Sequence, residues 1–287
     1  MNKVTIVTDS VACLPKEQAA KYGIRVVPVK ILFEKKVYSN GVDLSTAEAY
    51  RLLEKAPDYF STAPSSPNDY INLFREIISQ GQDILCITVS SKLSTVFNVA
   101  YLAKDELKNE NPRATISVMD SMTATASEGL IALAAAQSAA EGKELDNVIR
   151  TASKVREHTH MFIALDTIRH AYRTGRIPKI ATQVGTALGV KPLLTISDGV
   201  VHLVGVVRTR QRGVERLIEN MKRKVGDQPV HAAVMHTAVP EEGEKLKQLI
   251  SDEFDCKELF LTEVSPIIGY AIGTGVLGLA FYSLPAE

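Results

Sequence analysis

Three apolar runs decide the reading of this chain: Thr5-Ile6-Val7-Thr8-Asp9-Ser10, Leu85-Cys86-Ile87-Thr88-Val89-Ser90-Ser91 and Ile116-Ser117-Val118-Met119-Asp120-Ser121. Each reads as a buried strand, each stops at hydroxyl or carboxylate residues, and helical sequence follows each one. Strands alternating with helices predict parallel pairing through right-handed crossovers. In open parallel sheets ligands bind beyond the carboxyl ends of the strands. Ser, Thr and Asp side chains are therefore expected around one crevice. Hydroxyls without a clear base beside them suit holding an anion better than cutting a bond.

Working outward, strands are expected at Val4–Thr8, Ile24–Val29, Ile84–Val89 and Thr115–Met119, with helices over Thr46–Glu54, Pro67–Ile78, Ser94–Leu107 and Ala124–Ala140. Ser66 reads as an N-cap with Pro67 in the first turn. The Ala124–Ala140 segment has so little polar surface that it is expected between layers. An amphipathic helix, Leu145–Glu157, ends before His158, and the texture then changes. Met161–Leu165 reads as a short strand and Thr167–Tyr172 as a short helix. Val190–Ile196 and Val200–Val207 flank the turn Ser197-Asp198-Gly199 and read as a hairpin. Further helices are expected over Gln211–Lys224 and Glu241–Ser251, and strands at Val230–His236, Glu258–Thr262 and Leu277–Tyr282.

The 287 residues are long for one core. The predicted class is α/β in two domains. Residues 1–158 form an N-terminal parallel sheet with helices on both faces, and residues 159–287 a C-terminal mixed sheet with helices. Hydrophobic content of 45% and charged content of 23% are ordinary for a globular protein, and the formal net charge of +0 argues against nucleic acid. No signal-peptide layout follows Met1, and the apolar stretches near Leu130–Ala136 and Val276–Tyr282 are too short to span a bilayer. Cys13, Cys86 and Cys256 are far apart and odd in number, which argues against a disulfide framework. A cytoplasmic compartment is expected.

Individual motifs carry less. In Ser61-Thr62-Ala63-Pro64-Ser65-Ser66-Pro67 two prolines stiffen a polar loop; Thr62 is a candidate to face the crevice, with Ser65 and Ser66 as caps. Ser90-Ser91-Lys92-Leu93-Ser94-Thr95 joins a strand to a helix, where free N–H groups attract anions. Asp9-Ser10 and Asp120-Ser121 fit backbone capping better than a metal site, since no carboxylates and histidines have ligand spacing. Arg169, Arg173 and Arg176 surround Gly175 and fit either a solvated face or a cationic partner for a carboxylate or phosphate. Gly273-Thr274-Gly275-Val276-Leu277-Gly278 matches G-x-G-x-x-G, but the chain ends at Glu287, before the acidic ribose ligand that motif needs. Alternatives left open by the residues are an enzyme acting on a small phosphorylated or carboxylated substrate, and a lipid-dependent regulatory module.

Taken in order, these segments resemble the DegV family, the fatty-acid-binding proteins that serve bacterial fatty-acid kinase. Thr8-Asp9-Ser10 with Leu14-Pro15 is similar to T-D-S-x-x-x-L-P, Ser61–Ser65 to T-S-Q-P-S, and Ser90–Ser94 to S-S-x-L-S-G-T. Asp120-Ser121 with Ser127-Glu128-Gly129 is similar to D-S-x-x-x-S-x-G. Leu165-Asp166-Thr167 through Gly175-Arg176-Ile177 resembles the segment ending K-G-G-R-I, and Lys191-Pro192 with Asp198-Gly199 the K-P-I-L…D-G pair. The resemblance implies one long-chain fatty acid, such as palmitate or oleate, buried between the domains, and no other cofactor. It implies a carboxylate held by Thr62 and Ser94, with Ser61 and Ser91 beside them, and Arg173 and Arg176 facing a kinase or the headgroup. It implies a non-catalytic subunit whose ligand a separate ATP-dependent kinase phosphorylates for phospholipid synthesis, with transient contact at a membrane surface. The chain departs from the motifs at Ala63, Thr95 and Thr174, and at Ala271, where the late G-x-H-x-G-P-G segment has its His.

Overall fold

In the strand Val4–Asp9 (β1), Val4 and Ile6 enter one apolar cluster and Val7 another. Asp83–Thr88 (β6) repeats the pattern, with Leu85 and Ile87 on one face and Ile84 and Cys86 on the other. Strands apolar on both faces must be covered on both. The computed structural model, which describes residues 3–110, 115–167, 170, 174–175 and 189–285, places them side by side in a parallel sheet. Arg25–Val27 (β2) and Ile116–Asp120 (β7) complete the order β2-β1-β6-β7, with every pairing parallel. Helices α3 (Pro67–Ser79) and α4 (Val96–Glu110) cover one face; α1 (Lys16–Tyr22), α5 (Ala126–Ala140) and α6 (Leu145–His158) cover the other. The expected class is thus observed.

The second sheet is mixed. Its order is β10-β9-β8-β13-β11-β12, from Thr159–Ala164 (β8), Lys191–Ser197 (β9), Val200–Val207 (β10), Val230–His236 (β11), Cys256–Glu263 (β12) and Leu277–Tyr282 (β13). Only β11 and β12 pair in parallel. Leu217 and Met221 of α7 (Arg210–Val225) and Leu246 and Ile250 of α8 (Pro240–Glu253) pack on its outer face. Its inner face meets α5, which lies between the two sheets and is buried on every side from Ala126 through Ala136. That enclosure is why α5 has no polar face.

A third sheet departs from expectation. Ile24–Val29 is not one strand: β2 stops at Val27, Pro28 has no N–H to continue a ladder, and Lys30–Phe33 (β3) starts a separate antiparallel sheet with Lys36–Ser39 (β4) and Phe60–Ala63 (β5). Helices α2 (Thr46–Lys55) and α9 (Pro266–Ile272) pack against it through Tyr50, Leu53 and Ile267. Two capping boxes start helices here, Ser45 with Glu48 and Ser66 with Asp69, the second at the cap read from the sequence. The helix expected over Thr167–Tyr172 falls for the most part outside the described residues. None of the described helices is long and apolar enough to cross a membrane.

Gly129 lets α5 approach the β1 end. A Cβ there would lie 2.5 Å from the carbonyl oxygen of Ala12, a backbone atom that cannot swing away. Gly129→Ala is expected to destabilise the fold by about 1–3 kcal/mol, as overpacking does, read as a lower urea midpoint with unchanged slope.

Candidate functional site

The carboxyl ends of the parallel strands are built by their aspartates. Asp9 accepts from the N–H of Val11 at 2.8 Å and of Val89 at 3.0 Å. Asp120 accepts from Met122 N–H at 2.8 Å and Ser91 N–H at 3.2 Å. Each carboxylate thus shapes two loops, which is the capping role read from the sequence. The β6 loop then turns through Ser94 N–H donating to the Ser90 carbonyl at 3.0 Å and enters α4, where Ser94 Oγ accepts weakly from Val96 N–H at 3.4 Å.

On the neighbouring sheet, Thr62 pairs with Ile31 and Ser61 with Leu32. Adjacent strand residues point to opposite faces, so Thr62 shares a side with Phe60 while Ser61 faces solvent. The Thr62 hydroxyl has no hydrogen-bond partner among the described residues. Ser65 Oγ donates to the Pro28 carbonyl at 2.8 Å and so ties this loop to the end of β2.

These loops meet at a cavity of about 320 Å³. Val11, Val29 and Val89 line it from the parallel-sheet side, Met161, Ile163 and Leu194 from the mixed sheet, and Ile267, Ile268 and Ile272 from α9. Its volume falls in the range of small-molecule sites, and its wall is mainly apolar. Of the residues named from the sequence, Thr62, Ser91 and Ser94 line it together; Ser61 does not, and Arg173 and Arg176 lie outside the described residues. All four departures from the motifs, Ala63, Thr95, Thr174 and Ala271, also line it.

Sequence reasoning missed Lys92 and Thr125. Lys92 lines the cavity and donates to the Asp198 carbonyl at 2.8 Å. Beside it, Ser90 Oγ donates to the Gly199 carbonyl at 2.9 Å. The β9–β10 turn is thereby pinned to the loop that carries Ser94. Thr125 reaches Met161 of β8 from the start of α5, with a left-handed φ of 60°. Lys92 lay inside a quoted loop, but its partner is remote in sequence.

Gly199 has φ of 75°, and a Cβ there would lie 2.5 Å from Ser90 Oγ. Gly199→Ala is expected to cost about 1–3 kcal/mol through backbone strain and to speed amide exchange at Ser90 through Lys92, measured by hydrogen–deuterium exchange.

An apolar cavity rimmed by hydroxyls and walled by the parallel sheet, the mixed sheet and the end of β5 defines a class: a multi-sheet α/β protein with an apolar cavity between its sheets. The DegV family model, described as "Uncharacterised protein, DegV family", matches residues 3–284. The chain belongs to the DegV family. A DegV domain-containing protein of Clostridium acetobutylicum is 30% identical over 98% of this chain and 99% of its own length. One from Mycobacterium tuberculosis is 30% identical, covering 96% of each chain. Among solved structures, a fatty-acid-binding DegV family protein from Thermus thermophilus superposes with a TM-score of 0.90 at 25% identity, covering 98% of this chain and 100% of that one. A stearic-acid-binding protein from Eubacterium ventriosum gives 0.89 at 25% identity, covering 99% and 98%. Fatty-acid binding is stated for those two structural relatives.

Proposed function

We propose that this protein binds one long-chain fatty acid in the cavity and presents its carboxylate to an ATP-dependent kinase subunit, without performing chemistry itself. The observation that carries the reading is the cavity's composition: aliphatic walls from two sheets and α9, with Thr62 of β5 brought together with Ser91 and Ser94 of the loop between β6 and α4. At roughly 0.8 kcal/mol per buried CH2, a sixteen-carbon tail contributes about 12 kcal/mol before association costs. A buried carboxylate costs several kcal/mol unless it is hydrogen-bonded. The tail therefore sets affinity, and Thr62, Ser94 and nearby N–H groups set orientation, with Ser91 beside them.

The kinase step, its role in phospholipid synthesis and the part of Arg173 and Arg176 rest on the family resemblance, as does palmitate or oleate as the ligand. The ligand's insolubility favours loading by transient contact with a membrane surface. We take the domain boundary to lie between His158 and Thr159; in support, the described strands of the parallel sheet precede it and those of the six-stranded sheet follow it. The free thiols Cys13, Cys86 and Cys256 suit the cytoplasm.

Native mass spectrometry of the purified protein, followed by organic extraction, is expected to find one fatty acid per chain; no bound lipid and no uptake of added oleate would overturn the reading. Thr62→Ala and Ser94→Ala are each expected to weaken retention while leaving the melting temperature unchanged, since neither hydroxyl holds the core together. With ATP and oleate the isolated protein is expected to form no acyl phosphate, and addition of the kinase subunit to produce it, followed by hydroxylamine trapping.

A further inference from the structure

Behind the cavity wall lie two carboxyl groups that the binding reading leaves unused. Asp9 ends β1 and Glu128 stands in the first turn of α5, and neither has any solvent exposure. Thr8 Oγ1 donates to Glu128 Oε1 at 3.0 Å, while Glu128 Oε2 meets no donor. Thr8, which holds Glu128, and Asp9 are neighbours in β1, so the two carboxyls belong to one fully buried cluster at the contact of β1 with α5, and each feels the charge of the other. Two ionised carboxylates cannot share such a site, but one proton between them removes the repulsion and turns the orphaned oxygen into a donor.

The remaining contacts assign the proton. Asp9 already accepts two backbone N–H groups, so it suits the charged form. Burial pushes Asp9 up to about 6, and burial followed by the charge of Asp9 pushes Glu128 well above the usual carboxylate range. Both N–H groups belong to cavity-lining residues, Val11 and Val89, and Ser91 and Ser94 follow Val89 in the same loop. Thr125, three residues before Glu128, lines the cavity as well.

We infer that Asp9 and Glu128 share one proton and act as the positioning pair for the loops that face the ligand's headgroup. This role rests on the fatty-acid reading above. Around the pair stand Tyr70 of α3, Cys86 of β6, Cys13 beyond β1 and Asp120 at the end of β7, with Arg156 of α6 hydrogen-bonded to the Asp120 carbonyl at 3.1 Å. Burial raises Tyr70, Cys86 and Cys13, the last to about 12, so they stay neutral as Glu128 loses its proton. Ionising Glu128 adds a second buried negative charge. The folded state favours its neutral form, so rising pH works against the closed loops.

The test loads the full-length protein with oleate and follows transfer to phosphatidylcholine vesicles from neutral to alkaline pH, with melting temperatures measured alongside. Wild-type release is expected to accelerate as pH rises. E128A is expected to release oleate about tenfold faster at neutral pH, equivalent to about 1.4 kcal/mol. E128Q keeps an N–H donor for Asp9 but cannot ionise. It is expected to recover most of the retention lost in E128A and to lose the alkaline acceleration. Should E128A fail to fold, the E128Q profile decides. An E128Q profile as steep as wild type, or E128Q release as fast as E128A, would overturn the pair's role. Wild-type protein that takes up no oleate would instead overturn the fatty-acid reading, and this role with it.

Discussion

The molecule is arranged around a helix, α5, that is shut off from water from Ala126 through Ala136. α5 touches the parallel sheet through β1 and β6 and the mixed sheet through β8, β11 and β13. A helix in that position must be narrow, and Ala132, Ala134, Ala135 and Ala136 make it so. Narrowness has a second effect: it lets two sheets with different strand directions share one apolar cluster. The cavity opens at the N-terminal end of this layer, where Thr125 joins its wall. There α9 and the β5 loop, rather than α5, bound the space between the sheets.

The loops at that end divide their polar groups between two tasks. Asp9 and Asp120 satisfy backbone N–H groups, as buried main chain requires. Ser90 and Lys92 bind the β9–β10 turn. Because those groups meet the structural demands, Thr62 needs no bond to hold its loop, and Ser94 makes only a long one. Hydroxyls left over in this way are available to a ligand without loss of the fold. The same division explains why an apparent acidic motif, Asp9-Ser10, is architecture: Ser10 Oγ accepts from Val29 N–H at 3.0 Å and from Asn40 at 3.0 Å.

Much of this was legible in the sequence where burial imposes a pattern. Both-faced apolar runs announced β1, β6 and β7, and Asp198-Gly199 announced the β9–β10 hairpin. The third sheet was hidden because Pro28 separates two strands inside one apolar run, and because β5 is written in Ser and Thr beside prolines that read as a loop. Missing β5 as a strand also grouped Ser61 with Thr62, although strand geometry sends them to opposite faces. α9 was hidden for a different reason: it starts at Pro266 and has glycines within and beyond it, and tertiary packing rather than propensity forms it. Contacts between remote segments, such as Lys92 with Asp198 or Asp9 with Glu128, leave no local trace.

The four departures from the family motifs change what the cavity can offer. Ala63 and Ala271 stand where the motifs carry an amide and an imidazole, and Thr95 and Thr174 stand where they carry glycines. Two hydroxyl-bearing side chains are gained as two nitrogen-bearing ones are lost. On the proposed reading, the headgroup then meets neutral hydroxyls and backbone N–H groups at these positions, and neutral donors bind a carboxylate less strongly than cations do. That shifts the weight of binding further onto the tail, whose stabilisation grows with each buried CH2. It also makes the placement of the loops matter more, because weak donors help only when they are held at the right distance. A cavity of this kind needs its hydroxyls fixed from behind, and the buried groups at the end of β1 and the start of α5 are where that support originates.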